Sequence, residues 1–132
     1  MRKPIHILFV EDDPEMLAVY RENFLPPEFD STTLTNGRQA LALLAGDNVH
    51  FQVLVIDNRM PEMDGMDLLR IIHGKFPCMK VIVVTGYGNW SDYIDAHNLG
   101  VLRFFDKPVK MSALKELIRS QFGENLSDAK GA

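Results

Sequence analysis

Val53-Leu54-Val55-Ile56-Asp57-Asn58 is the stretch on which the reading of the fold turns. Four successive apolar residues, three of them β-branched, stop abruptly at a carboxylate. A strand with one wet face would alternate apolar and polar residues; an unbroken run is the pattern of a strand covered on both faces, as in a parallel sheet. Two further runs share it. Ile7-Leu8-Phe9-Val10 stops at Glu11-Asp12-Asp13, and Val81-Ile82-Val83-Val84 stops at Thr85-Gly86. With two weaker candidates, strands are expected over 5 to 10, 29 to 34, 51 to 56, 80 to 84 and 101 to 105.

Amphipathic segments separate these runs. The first helix is expected over 14 to 24, with Asp13 as N-cap and Pro14 at the first helical position, where a missing N–H costs nothing. A second covers about 37 to 44. A third opens at Asp64 and stops at Gly74, ahead of Pro77. A fourth runs from Trp90 to about Leu99 and ends at Gly100, and a fifth covers 112 to 122. Strict alternation of strand and helix means an α/β fold with right-handed crossovers around a parallel sheet. The final stretch, 123 to 132, is small and polar and reads as a tail or the start of a linker.

Composition narrows the function classes. A chain of 132 residues has room for one domain, and its 46% hydrophobic content can fill a core without disulfides. Cys78 is the only cysteine, which suits a reducing cytoplasm. No run approaches the roughly 18 apolar residues of a membrane span. Fourteen basic against eighteen acidic residues give a net charge of -4, which argues against direct nucleic-acid binding and against an anionic membrane surface.

Open parallel sheets bind ligands beyond the carboxyl ends of their strands. Read together, those ends carry Glu11-Asp12-Asp13, Asp57, Thr85-Gly86 and Asp106-Lys107-Pro108. Carboxylates crowded on one edge repel unless a proton or a cation compensates. Mg²⁺ is suited to that task, since it takes oxygen ligands and commonly uses one or two carboxylates plus a phosphate oxygen. Lys107 adds a compact positive charge and Thr85 a hydroxyl donor, both suited to phosphoryl oxygens. These are parts for phosphoryl transfer, in which positioning and charge neutralisation do most of the catalysis. No Ser, Cys or His in the set has a base beside it, so the nucleophile is a carboxylate; Asp57, alone after the central run, is the best candidate.

Val10-Glu11-Asp12-Asp13-Pro14, Val55-Ile56-Asp57-Asn58-Arg59-Met60-Pro61-Glu62-Met63-Asp64-Gly65, Val84-Thr85-Gly86 and Phe104-Phe105-Asp106-Lys107-Pro108 together resemble the receiver domain of bacterial two-component response regulators. The resemblance spans about residues 4 to 122. It implies a flavodoxin-like, doubly wound sheet of five parallel strands in the order 2-1-3-4-5 with five helices. It also implies a phosphoacceptor switch rather than a turnover enzyme: Asp57 takes a phosphoryl group from the phosphohistidine of a sensor histidine kinase or phosphotransfer protein, or slowly from a small donor. By the same resemblance Asp12 and Asp57 ligate Mg²⁺, Glu11 acts through a water, and the backbone carbonyl of Arg59 is a further ligand. Thr85 is then the switch hydroxyl, Lys107 pairs with the phosphoryl group and is followed by a cis bond to Pro108, and Phe104 stands at the aromatic switch position. Its movement would alter the face of the fourth helix, fifth strand and fifth helix, where a downstream effector or a second copy in a homodimer would sit.

Some positions carry competing readings. Asp13 reads as a helix cap and Gly65 as a turn residue with positive φ. Arg59 and Tyr87 lie where access of hydrolytic water would be tuned; the guanidinium could equally bind the phosphoryl group. Phe104 lacks a hydroxyl, so any switch acts through packing. Trp90 and Tyr93 suggest a partner surface, with local core packing as the rival. The histidines His6, His50, His73 and His97 are scattered, and Met60, Met63 and Met66 read as packing residues. Three alternatives stand beside the phosphoacceptor: a phosphate-independent receiver-like interaction module, a receiver fragment of a hybrid-kinase phosphorelay, and a haloacid-dehalogenase-like phosphatase, whose nucleophile would follow the first strand. Flavin binding is a fold-level alternative, but acids stand where a hydroxyl-rich phosphate loop would follow strand one.

Overall fold

The computed structural model describes residues 3–46, 50–86 and 88–122. Along the chain it contains β1 (Ile5–Val10), α1 (Pro14–Asn23), β2 (Phe29–Leu34), α2 (Gly37–Leu44), β3 (Val53–Ile56), α3 (Gly65–Ile72), β4 (Lys80–Thr85), α4 (Trp90–Asn98), β5 (Arg103–Asp106) and α5 (Met111–Gln121). The strands form one sheet in the order β2-β1-β3-β4-β5, and each neighbouring pair is parallel. This is the expected doubly wound α/β fold.

The three unbroken apolar runs occupy the sheet centre because only there are both faces covered. Ile7, Phe9, Val53, Val55, Ile82 and Val84 face one core, closed by Leu17, Tyr20 and Phe24 of α1 and its end and by Leu114 and Ile118 of α5. Leu8, Val10, Leu54, Ile56 and Val83 face the other, closed by residues of α2, α3 and α4. β2 and β5 lie at the sheet edges and are only partly buried, which explains their weaker patterns.

Four strand limits differ from the expected ones, one of them being the end of β5, at Asp106 rather than Phe105. β3 begins at Val53 rather than Phe51; just ahead of it the Gln52 side chain accepts the His6 N–H at 2.7 Å while its own N–H donates to the His6 carbonyl at 2.9 Å. β5 begins at Arg103 rather than Val101, whose N–H closes the end of α4 on the Ala96 carbonyl at 3.0 Å. β4 continues through Thr85, which pairs with Asp106 in the ladder.

Helix ends follow from local chemistry. Asp13 Oδ1 accepts the Glu15 N–H at 3.0 Å, with Pro14 at the first helical position, as expected. Asn36 and Asn89 cap α2 and α4 in the same way, through the Gln39 and Asp92 N–H groups. Gly74 and Gly100 follow α3 and α4 with φ of 79° and 78°. Among the described residues no helix is long and apolar enough to cross a membrane. The expected tail at 123 to 132 lies outside the described residues.

Candidate phosphoacceptor site

Every central strand delivers its polar residue to the same sheet edge, because parallel strands all end on one side. Glu11 follows β1, and its N–H donates to the Leu34 carbonyl of β2 at 3.0 Å. Asp57 follows β3 and donates its N–H to the Val10 carbonyl at 3.0 Å. The two acids are thereby tied to the sheet by their own backbone. Thr85 ends β4 and is fully buried, and its carbonyl accepts the Lys107 N–H at 2.9 Å. The Lys107–Pro108 peptide is cis.

Ligand atoms of Glu11, Asp12 and Asp57 all lie within 4.8 Å of one another. Lys107 Nζ sits 2.8 Å from Glu11 Oε1 and 3.2 Å from Asp57 Oδ2, bridging the two buried acids. The other Asp57 oxygen, Oδ1, accepts the Arg59 N–H at 3.1 Å, and Glu11 Oε2 accepts the Asp13 N–H at 3.1 Å. Glu11 Oε1 is different. Its contact with the ammonium is close but poorly directed, so this buried oxygen has charge attraction and no aligned hydrogen bond.

The electrostatics follow from burial. Loss of water pushes the Glu11 carboxyl up to about 7 from 4.5; the Asp57 charge adds to the rise, and Lys107 and the Asp13 amide only partly oppose it. Burial alone would lower the Lys107 ammonium, but the close Glu11 contact, the charges of both acids and the hydrogen bond to Asp57 outweigh it and hold it raised. Tyr20, buried beneath this edge, is also raised, first by burial and then by the charges of Glu11 and Asp57. A site with surplus negative charge, all-oxygen donors and one buried oxygen lacking a directed partner fits a hard divalent cation such as Mg²⁺.

Among the residues singled out from sequence, Glu11, Asp12, Asp57 and Lys107 are thus brought together, with Thr85 and the Arg59 backbone tied to them. Asp13 is held at the rim as the α1 cap. Gly65 requires a correction: its φ is not positive, and the left-handed residue of the loop is Glu62, at φ 70°. Glycine is needed at 65 for space, since a Cβ would lie 2.6 Å from the Asp57 carbonyl oxygen. Phe104 lies on the neighbouring face, edge-on to Tyr93. Tyr87 lies outside the described residues. Trp90 and Tyr93 are exposed, at 73% and 51%, so the aromatic face of α4 is not simple core packing. Met60 and Met66 are buried packing residues, as expected.

Sequence reasoning assigned no role to Asn58. It is buried, its carbonyl accepts the Gly65 N–H at 2.9 Å and its Oδ1 accepts the Met66 N–H at 3.1 Å. It ties the start of α3 to the residue beside Asp57. Its only signal was a polar side chain next to Asp57, two places after an apolar strand.

A five-stranded 2-1-3-4-5 sheet with this acid cluster and lysine at its carboxyl edge defines a class of phosphoryl-accepting α/β domains. Residues 7–119 match the family described as the response regulator receiver domain, and the chain belongs to that family. It is 35% identical over 116 residues to the transcriptional regulatory protein GlrR of Escherichia coli, covering 88% of this chain and 26% of GlrR. It is 36% identical over 115 residues to the transcriptional regulatory protein FlgR of Helicobacter pylori, covering 85% of this chain and 28% of FlgR. The chain therefore spans about a quarter of the length of these relatives. A CheY-like receiver domain protein from Methanospirillum hungatei superposes with a TM-score of 0.84 at 27% identity, over 95% of this chain and 98% of that one. This is a receiver domain of two-component response regulators, a phosphoacceptor signalling module.

Proposed function

We propose that Asp57 is the phosphoacceptor of a receiver unit spanning residues 4 to 122, charged by a sensor histidine kinase or phosphotransfer protein in the cytoplasm. The observation that carries this reading is the Lys107 ammonium bridging Asp57 Oδ2 at 3.2 Å and Glu11 Oε1 at 2.8 Å, at the point where three carboxylates converge. Glu11, Asp12, Asp57 and the Arg59 carbonyl would hold Mg²⁺, which when bound supplies charge neutralisation for the acids and the incoming phosphoryl oxygens.

In the transfer, an Asp57 carboxylate oxygen bonds to phosphorus while the phosphorus–nitrogen bond to the donor imidazole breaks and its electron pair leaves with the nitrogen. Lys107 then exchanges its carboxylate partners for a phosphoryl oxygen. Thr85, held by the β4–β5 ladder, turns its hydroxyl to donate to another. Phe104 follows through packing and alters the α4, β5 and α5 face around Trp90 and Tyr93, where an effector or a second copy docks. The same chemistry allows slow self-phosphorylation from small donors and slow hydrolysis, with Arg59 and Tyr87 setting water access.

Incubation with Mg²⁺ and acetyl phosphate tests this. The expected result is a mass gain of one phosphoryl group mapped to Asp57, lost with EDTA, and a beryllofluoride-dependent change in Trp90 emission. Equal labelling of wild type and Asp57→Asn would sink the assignment.

A further inference from the structure

The Phe104 ring packs against the core under α2, α3 and α4 and meets Tyr93 edge-on, with centroids 5.4 Å apart at 75°. Tyr93 in turn lies 6.0 Å from Trp90. Two hollows flank the ring. One, of about 350 Å³, is lined by Ala96, His97 and Val101, and the other, of about 360 Å³, by Gly88, Asn89 and Asp106; Trp90, Tyr93 and Phe104 border both. The ring therefore has space to move on either side.

Its resting place depends on Gly88. A Cβ there would lie 2.7 Å from both Cε1 and Cζ of Phe104 and 3.2 Å from Cγ2 of Thr85. The first separation is shorter than carbon atoms tolerate. Gly88 does not have a positive φ; among the described glycines only Gly74 and Gly100 do. With no positive φ at Gly88, the crowding there comes from its neighbours, the Phe104 ring first and the Thr85 methyl group second. The missing side chain opens a single space that the Phe104 ring edge and the Thr85 methyl group share.

We propose that Gly88 is a positioning residue of the switch: by withholding a Cβ it keeps the Thr85 side chain and the Phe104 ring in one shared space, so that rotation of Thr85 is felt directly by the ring. This rests on the roles proposed above for Thr85 and Phe104. A methyl group at 88 would wedge into that space, displace the ring towards a neighbouring hollow and leave Thr85 turning without moving it.

The test uses Gly88→Ala in wild-type and Phe104→Ala backgrounds. In the protein free of metal and phosphodonor, Gly88→Ala should shift the Phe104 and Tyr93 aromatic NMR resonances and weaken the cross-peaks between the two rings. It should lower the urea midpoint in the wild-type background but not with Phe104→Ala, where no ring is left to clash and alanine restricts the unfolded chain. With Mg²⁺ and beryllofluoride, Gly88→Ala should lose most of the Trp90 emission change. Unaltered ring resonances, or an equal fall in midpoint in both backgrounds, overturns the inference. Failure of beryllofluoride to bind wild type would instead overturn the phosphoacceptor reading, leaving the ring measurement to stand by itself.

Discussion

At Lys107 one ammonium group, a quarter exposed, faces two buried carboxylates, and removing it leaves those acids confronting each other without a cation. Lys107→Ala should therefore destabilise the metal-free protein at pH 8 by about 1–3 kcal/mol. The loss stays below that of a fully buried pair because Glu11 can take up a proton instead. Urea unfolding in EDTA measures it; the same variant should bind Mg²⁺ at least as tightly as wild type, by calorimetry, yet accept phosphoryl groups poorly from acetyl phosphate. Glu11 itself gives a pH dependence. Its folded value of about 7 lies above the ordinary 4.5, so between those limits the folded chain holds a proton that the unfolded chain has released. Stability of the metal-free protein should then fall as pH rises through that window and level off above it. Glu11→Gln should flatten that slope; an identical slope in wild type and variant would contradict it. The identities of these site residues were legible in sequence because each follows an apolar run. The Lys107–Glu11 contact was not, since it joins the ends of β5 and β1, which the sheet order separates by β3 and β4.

Among the elements, α1 and α3 show how far local signals reach. Asp13-Pro14 announces the start of α1, because proline can occupy only the first turn without losing a hydrogen bond. The caps Asn36 and Asn89 have no such neighbour and went unread. Gly65 was legible as a necessary glycine but for the wrong reason: the demand comes from the Asp57 carbonyl 2.6 Å from where a Cβ would lie, a contact created by the loop closing on itself. Gly65→Ala should cost about 1–3 kcal/mol by overpacking. Because the strain falls on the Asp57 backbone, it should also slow labelling by acetyl phosphate. Thermal unfolding and a labelling time course check the two effects, and a destabilised variant with wild-type labelling would show that α3 is anchored independently of the site.

Across the whole molecule, burial separates residues that hold the fold from residues that face outwards. Leu54, fully buried in β3, should cost about 2–5 kcal/mol when cut to alanine. Trp90, 73% exposed on α4, should change stability by less than about 0.5 kcal/mol when replaced by alanine. The same Trp90→Ala change should weaken docking of an effector or second copy at that face, as read by sedimentation or pull-down with a phosphorylated sample; denaturant unfolding of both variants supplies the contrast. The fold class was legible because hydrophobic periodicity is a local property: runs such as Val53 to Ile56 must be covered on both faces wherever they lie. The two edge strands were harder, because a strand with one open side carries a diluted pattern. The chemistry of the site was legible for the same reason as the fold, since parallel strands deliver whatever follows them to one edge. Sequence alone thus determined the alternation of strand and helix, the carboxyl-edge site and the residue types in it. Only the tertiary structure decided which of those groups touch, that Glu11 is buried with one oxygen lacking a directed partner, that Gly65 is required by the Asp57 carbonyl rather than by its own φ, and that a Cβ at Gly88 would crowd Phe104. Distances between strand ends depend on sheet order and twist, and these are set by packing the whole chain at once rather than by any segment of it.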